Sequence, residues 1–270
     1  MRGRGTAADL IMLLALAVWA TPVAWQMLTS LTPDADIVTG GWPRALTLAH
    51  YRVVFAQSPM PGALVNSLGI AVLATAGAAV LGTLAAYPLA RLAVPGRRLI
   101  MLGVVLSTAF PAVATVAPLY LIIRALGLRD TWWALILADA SFALPLMIWL
   151  TVGFLRELPR ELEEAAFVDG ASRVGALRHV VLPALAPGVG AAALLAFLFT
   201  WNEFLFAYTF TATEASRTVP VALALFPGVF EVPWGDIAAA SIVASVPPIL
   251  IVVLLQRHLV RGLLAGALKE

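Results

Sequence analysis

Apolar residues fall in long blocks along this chain. Six stretches, near 10–29, 63–90, 99–123, 132–155, 184–208 and 237–256, run almost without charge. A helix needs about 20 apolar residues, rising about 1.5 Å each, to cross a hydrocarbon core of about 30 Å. The pattern therefore predicts an all-α polytopic membrane protein with six transmembrane helices. Between the blocks lie polar segments. Residues 30–62 carry Pro33, Asp34, Asp36, Gly40, Gly41 and Pro43 and read as an external, turn-rich segment. Residues 209–236, with Thr211, Glu214, Arg217, Pro220, Gly228, Glu231 and Trp234, read as a second exposed loop. Trp132 and Trp133 suit an aromatic belt at one end of the fourth span.

Composition sharpens this reading. The 270 residues are 61% hydrophobic and 12% charged, against about 25% charged in soluble chains. Basic residues are placed unevenly. Arg2, Arg4, Arg91, Arg97, Arg98, Arg156, Arg160, Arg173, Arg178, Arg257, Arg261 and Lys269 share one side, which is 12 of the 17. Arg44, Arg52, Arg124, Arg129 and Arg217 fall on the other. An excess of positive charge marks the cytoplasmic side, so both termini and the loop at 156–183 are expected there. The apolar run that follows Arg2 and Arg4 continues through Trp25 and Met27 with no sharp cleavage site, which favours a retained first span over a signal peptide. Cysteine is absent, which excludes disulfide and thiolate chemistry, and no basic, aromatic-interleaved patch suggests nucleic acid.

Small residues recur every fourth position in the second span (Ala74, Ala78, Gly82, Ala86, Ala90) and in the fifth (Gly188, Ala192, Ala196, Thr200). On helices these form smooth ridges for close packing. Pro111, Pro118, Pro145, Pro247 and Pro248 sit inside spans and predict bends. Asp139, mid-span, is expected to face the bundle interior. Phe199, Trp201, Asn202, Glu203 and Phe206 cluster at the outer end of the fifth span, with Phe199, Glu203 and Phe206 predicted on one helical face. Carboxylates and amides bind sugar hydroxyls and aromatic faces cover the C–H faces of a pyranose, so this cluster suits a sugar path. It suits an interfacial cluster with interhelical hydrogen bonds as well.

The segment 156–183 is too polar to cross a bilayer. Two short helices outside the lipid are expected. Pro159 starts the first, Glu161, Glu163 and Glu164 favour its N-terminal dipole, and Gly170 stops it. Ser172 caps the second, Val174, Leu177 and Val181 give it an apolar stripe, and Pro183 bends the chain into the fifth span. Ala165 and Ala166 would let a neighbour approach the backbone. These features leave open an amphipathic hairpin on lipid headgroups or a docking site for a soluble partner.

Glu164-Ala165-Ala166, three residues, Gly170, nine residues, then Val180-x-Leu182-Pro183 resembles the EAA loop of ABC importer permeases, with Val180 where isoleucine is usual. NSLGIAVLATAGAAVLGTLAAYPLARL (66–92) resembles the opening of that family's transmembrane domain. TWNEFLFAYTFT (200–211) and LQRHLVRGLLAGALKE (255–270) resemble its carbohydrate branch, the six-span maltose type. The resemblance implies a type I importer permease fold in the cell membrane. Residues 1–61 would form a first span with its external segment, 62–257 the permease domain, and 258–270 a cytoplasmic tail. It also implies that Glu164, Ala165, Ala166, Asp169, Gly170, Leu182 and Pro183 dock a separate ATPase subunit. A second permease, two such ATPases holding ATP and Mg, and an external sugar-binding protein would complete the assembly. In two-permease sugar importers the partner can hold most substrate contacts.

What the sequence lacks agrees with this. A P-loop needs a lysine after a glycine-rich turn, and the single lysine is Lys269. Histidines occur at 50, 179 and 258 only, without HExxH or GxSxG, so a membrane enzyme has no recognisable centre. An ion-driven secondary transporter would need paired intramembrane charges, and only Asp139 is well placed. The sugar implied is a disaccharide such as trehalose or maltose, with glycerol-phosphate or another glycoside as the alternative.

Overall fold

The computed structural model describes residues 3–40, 42–226 and 232–267, with side chains over 8–40, 42–226 and 232–255. Arg2, Gly41, Gly228, Glu231, Lys269 and the side chains of Arg4, Arg257 and Arg261 lie outside the described residues. The described chain is helical without strands. Its elements are α1 (Gly3–Ser30), α2 (Asp34–Thr39), α3 (Ala49–Ala56), α4 (Met60–Arg91), α5 (Arg97–Thr108), α6 (Ala112–Ala125) and α7 (Trp132–Glu157). They continue with α8 (Glu161–Val168), α9 (Arg173–Ala176), a π-turn (Leu177–Val181), α10 (Leu182–Trp201), α11 (Leu205–Phe210), α12 (Val219–Ala224) and α13 (Trp234–Ala267). Five helices are long and apolar enough to cross a membrane, and the bent pair α5–α6 makes up to six. The chain is a multi-pass membrane protein.

Two compact units divide it: residues 1–64 with 219–246, and residues 65–218 with 247–270. In the first, α1 exposes Leu13, Val18, Trp19 and Val23, apolar on every side as a lipid-bathed helix is. His50 of α3 is buried there, between Asp236 Oδ1 (2.7 Å from Nδ1) and the Thr32 carbonyl (2.9 Å from Nε2). Both ring nitrogens face acceptors. Burial alone would lower the His50 pKa, but the hydrogen bonds to Asp236 and Thr32 and the charges of Asp34 and Asp236 outweigh it and raise it.

In the second unit the small-residue ridges do what their spacing predicts. Ala78 of α4 and Ala192 and Ala196 of α10 pack with Ala143 and Met147 of α7. A methyl built on Gly82 would sit 2.7 Å from Met147 Cβ, and one on Gly188 would sit 2.6 Å from the Phe154 ring. At these two points the helices touch backbone to side chain. A second cluster, with Tyr87, Val152, Leu155, Val181 and Leu185, continues this core toward α8.

Three expectations are corrected. The third span is not one helix over 99–123: α5 and α6 meet at 95°. Pro111, lacking an N–H, begins α6 as its N-cap in extended conformation. The fifth span does not begin after a bend at Pro183. From Ser172 the helix runs through the π-turn to Trp201, because Leu182 N–H bonds Leu177 O, five residues back. That wider turn admits the proline. Nor is Trp132 a lipid anchor. Its ring lies where a Gly69 side chain would be, and its Nε1 donates to Asn66 Oδ1 at 3.0 Å, so only the 60% exposed Trp133 faces outward.

Candidate functional site

The loop at 156–183 is built around α8. Glu161, Glu163 and Glu164 occupy its first turn behind Arg160 as N-cap. Gly170 takes φ 84, a left-handed conformation that a side chain disfavours, and Ala171 N–H then reaches the Ala166 carbonyl at 2.9 Å. Ser172 Oγ accepts from Gly175 N–H at 3.1 Å and opens α9. Glu164, Ala165, Asp169, Gly170, Leu182 and Pro183 are exposed, and so are Leu162, Val168 and Val174. Ala166 is not. It faces the bundle with Glu163, three residues away on the same side of the helix. Of the two alanines, Ala165 is the one open to solvent.

Sequence reasoning grouped Glu163 with the dipole acids, whereas its carboxylate pairs with Arg91 of α4. Tyr87 and Arg91, polar and four residues apart at the end of a small-residue ridge, were the signal available for it.

At the other end of α10, Phe199, Glu203 and Phe206 do not share one helical face. Helix α10 stops at Trp201, so Phe199 is 48% exposed on it while Phe206 is buried on α11. Glu203 Oε1 accepts the Phe206 N–H (2.7 Å) and Oε2 the Ala207 N–H (2.9 Å). These are free donors at the start of α11, and a carboxylate there also favours the helix dipole. Trp201 stacks on Phe197 at 5.9 Å, and Phe206 packs on Phe142 at 5.1 Å and Phe210 at 5.5 Å. Asn202 donates back to the Leu198 carbonyl at 2.7 Å and stays exposed. Asp139 is buried within α7.

The turn after α11 is pinned by two side chains that the sequence did not single out. Asp130 precedes α7 and accepts from Ala212 N–H (2.7 Å), Thr213 N–H (3.1 Å), Thr213 Oγ1 (2.8 Å) and Ser216 Oγ. Burial opposes its ionisation, but these donors outweigh that and hold the Asp130 carboxyl well below the usual carboxylate range. Asn66 donates to the carbonyls of Ala215 (3.0 Å) and Arg217 (2.9 Å).

The described chain is thus an all-helical multi-pass membrane protein with the short helix α8 set between two apolar spans. Residues 78–264 match the family described as binding-protein-dependent transport system inner membrane component, and the chain belongs to that family. It is 46% identical over 251 residues to the trehalose transport system permease protein SugB of Mycobacterium tuberculosis, covering 92% of each chain. It is 42% identical over 251 residues to the sulfoquinovosyl glycerol transport system permease protein SmoH of Agrobacterium fabrum, covering 92% of this chain and 88% of that one. Among solved structures, a bacterial ABC transporter involved in the import of the acidic polysaccharide alginate matches with a TM-score of 0.80. It is 20% identical and covers 95% of this chain and 96% of its own, a likeness of fold.

Proposed function

We propose that the chain is the non-catalytic, membrane-spanning subunit of an ATP-driven sugar importer. The substrate would be a disaccharide such as trehalose or maltose, or a related glycoside. It works with a second permease, two ATPase subunits that hold ATP and Mg, and an external sugar-binding protein. Both termini and the 156–183 loop face the cytoplasm, a placement supported by 12 of 17 basic residues. Family membership and the trehalose and sulfoquinovosyl glycerol relatives support the substrate class. The observation that carries the mechanism is the outward face of α8: Leu162, Glu164, Ala165 and Val168 are exposed beside Asp169 and the Gly170 turn. That is an apolar helix edge with acids at its start, of the kind a groove on a soluble subunit can receive.

The five residues near the end of α10 divide their work in this reading. Asn202 and Phe199, the exposed pair, meet the sugar. Trp201, Glu203 and Phe206 hold the wall behind them. Asp130 and Asn66 fix the turn at 211–218 against which the delivering protein comes.

The test is uptake of radiolabelled trehalose and maltose into vesicles holding the full complex. Accumulation should require ATP inside and binding protein outside. Uptake driven by an ion gradient, without the ATPase subunits, would contradict the proposal.

A further inference from the structure

Of the three acids in the first turn of α8, Glu161 and Glu164 are exposed and Glu163 is buried. The helix dipole is served by exposed acids, so it does not account for a carboxylate sunk against the bundle. Glu163 Oε1 lies 2.7 Å from Arg91 Nε, the side chains being 8% and 5% exposed. The Tyr87 hydroxyl donates to Glu163 Oε2 at 3.2 Å, and Arg91 Nη2 donates to the Leu158 carbonyl at 2.7 Å. Tyr87 and Arg91 are four apart in the last turns of α4, so one helical face supplies both groups. Leu158 is the C-cap of α7. An ion pair and a hydrogen bond thus tie the end of α4 to α8, and a second hydrogen bond from Arg91 ties it to the end of α7.

We propose that Glu163, Arg91 and Tyr87 form the link through which movement of α8 passes to α4 and α7 during transport. They are positioning residues, and the proposal rests on the docking role given to α8 above. Short turns join α8 to its neighbours on both sides, Leu158–Arg160 before it and Asp169–Ser172 after it. Turns rotate easily, and the inward methyl of Ala166 has no polar group to hold it. The ion pair holds Glu163 Oε1 2.7 Å from Arg91 Nε, with Tyr87 on the other carboxylate oxygen, so a displacement of α8 arrives at Arg91, the last residue of α4. Arg91 passes it on to Leu158 at the end of α7. The same small residues that pack α4 and α10 tightly onto α7 let these helices move as a body.

The measurement is sugar translocated per ATP hydrolysed by the full complex in vesicles, a ratio that does not depend on how much complex is recovered. Glu163→Gln keeps the size of the side chain and one acceptor oxygen and removes its charge. It should leave the ATPase subunits bound and hydrolysing while the ratio falls about threefold to thirtyfold, the span expected of residues that carry coupling. Tyr87→Phe should lower it by a smaller factor. It keeps the ion pair, so it carries the test if Glu163→Gln fails to assemble. A residue that only holds the fold together would reduce yield and leave the ratio alone. An unchanged ratio in working complexes overturns the link. Failure of the unaltered complex to transport with ATP would remove the docking role itself, and the link with it.

Discussion

The loop at 156–183 and the turn at 211–218 are each held by one carboxylate, and the two carboxylates are satisfied differently. Glu163, almost out of solvent, faces a guanidinium. Asp130, partly exposed, collects backbone N–H groups and hydroxyls. A buried charge needs an opposite charge and further hydrogen bonds to remain ionised. At the rim water shares the solvation, and neutral donors suffice. The first arrangement resists bending and suits a part that carries load. The second fixes the shape of a turn whose side chains include the 70% exposed Glu214, paired at 3.9 Å with Arg217.

Removing the carboxylate should separate the two most clearly. Glu163→Ala leaves Arg91 without its counter-charge and should lower stability by about 3 kcal/mol. Asp130→Ala leaves donors that water can reach and should lower it by about 1–2 kcal/mol. Thermal unfolding of the purified complex reads both, and equal losses would break the distinction.

The pH response sharpens it next. The folded pKa of Asp130 lies below its ordinary 3.8, so the stability it supplies is present above that value and is lost as pH falls through the folded value. The gap between the unaltered protein and Asp130→Asn should therefore stay constant from about pH 7 to about pH 4 and narrow only in stronger acid. His50 runs the other way. Its folded pKa is raised, so its contribution is complete below the ordinary 6.5 and fades as pH rises through the folded value. His50→Gln should lose most at about pH 6 and least in alkali, read by the same melting curves.

The smallest effect belongs to the cap of α9. Ser172→Ala removes the acceptor for Gly175 N–H and should cost about 1 kcal/mol. Hydrogen exchange at Gly175 should rise, without a change at Asp130.

Regular parts of this protein were legible in advance. The ridge at Ala74, Ala78, Gly82, Ala86 and Ala90 follows from spacing alone, as do the Gly170 stop and the Ser172 cap, because each is a local property of the chain. The node at Glu163 was not legible. Three acids in one turn look alike until packing chooses which faces inward. Glu203 misled for a related reason. Phe199, Glu203 and Phe206 share a face only if the helix continues, and it ends at Trp201 because the Glu203 carboxylate is free to take the first N–H groups of α11. The bend in the third span was legible at Pro111, but its 95°, which divides the span into two helices, was not.

Docking on the outward face of α8 is open to one direct measurement. The chain has no cysteine, so Ala165→Cys and Ala166→Cys each provide a single thiol for maleimide labelling, with the ATPase subunits present or absent. Position 165, exposed, should label rapidly alone and about tenfold or more slowly in the assembled complex, as burial at an interface core excludes the reagent. Position 166, turned toward Glu163, should label slowly in both. Equal labelling at 165 with and without the ATPase subunits would contradict docking on this face.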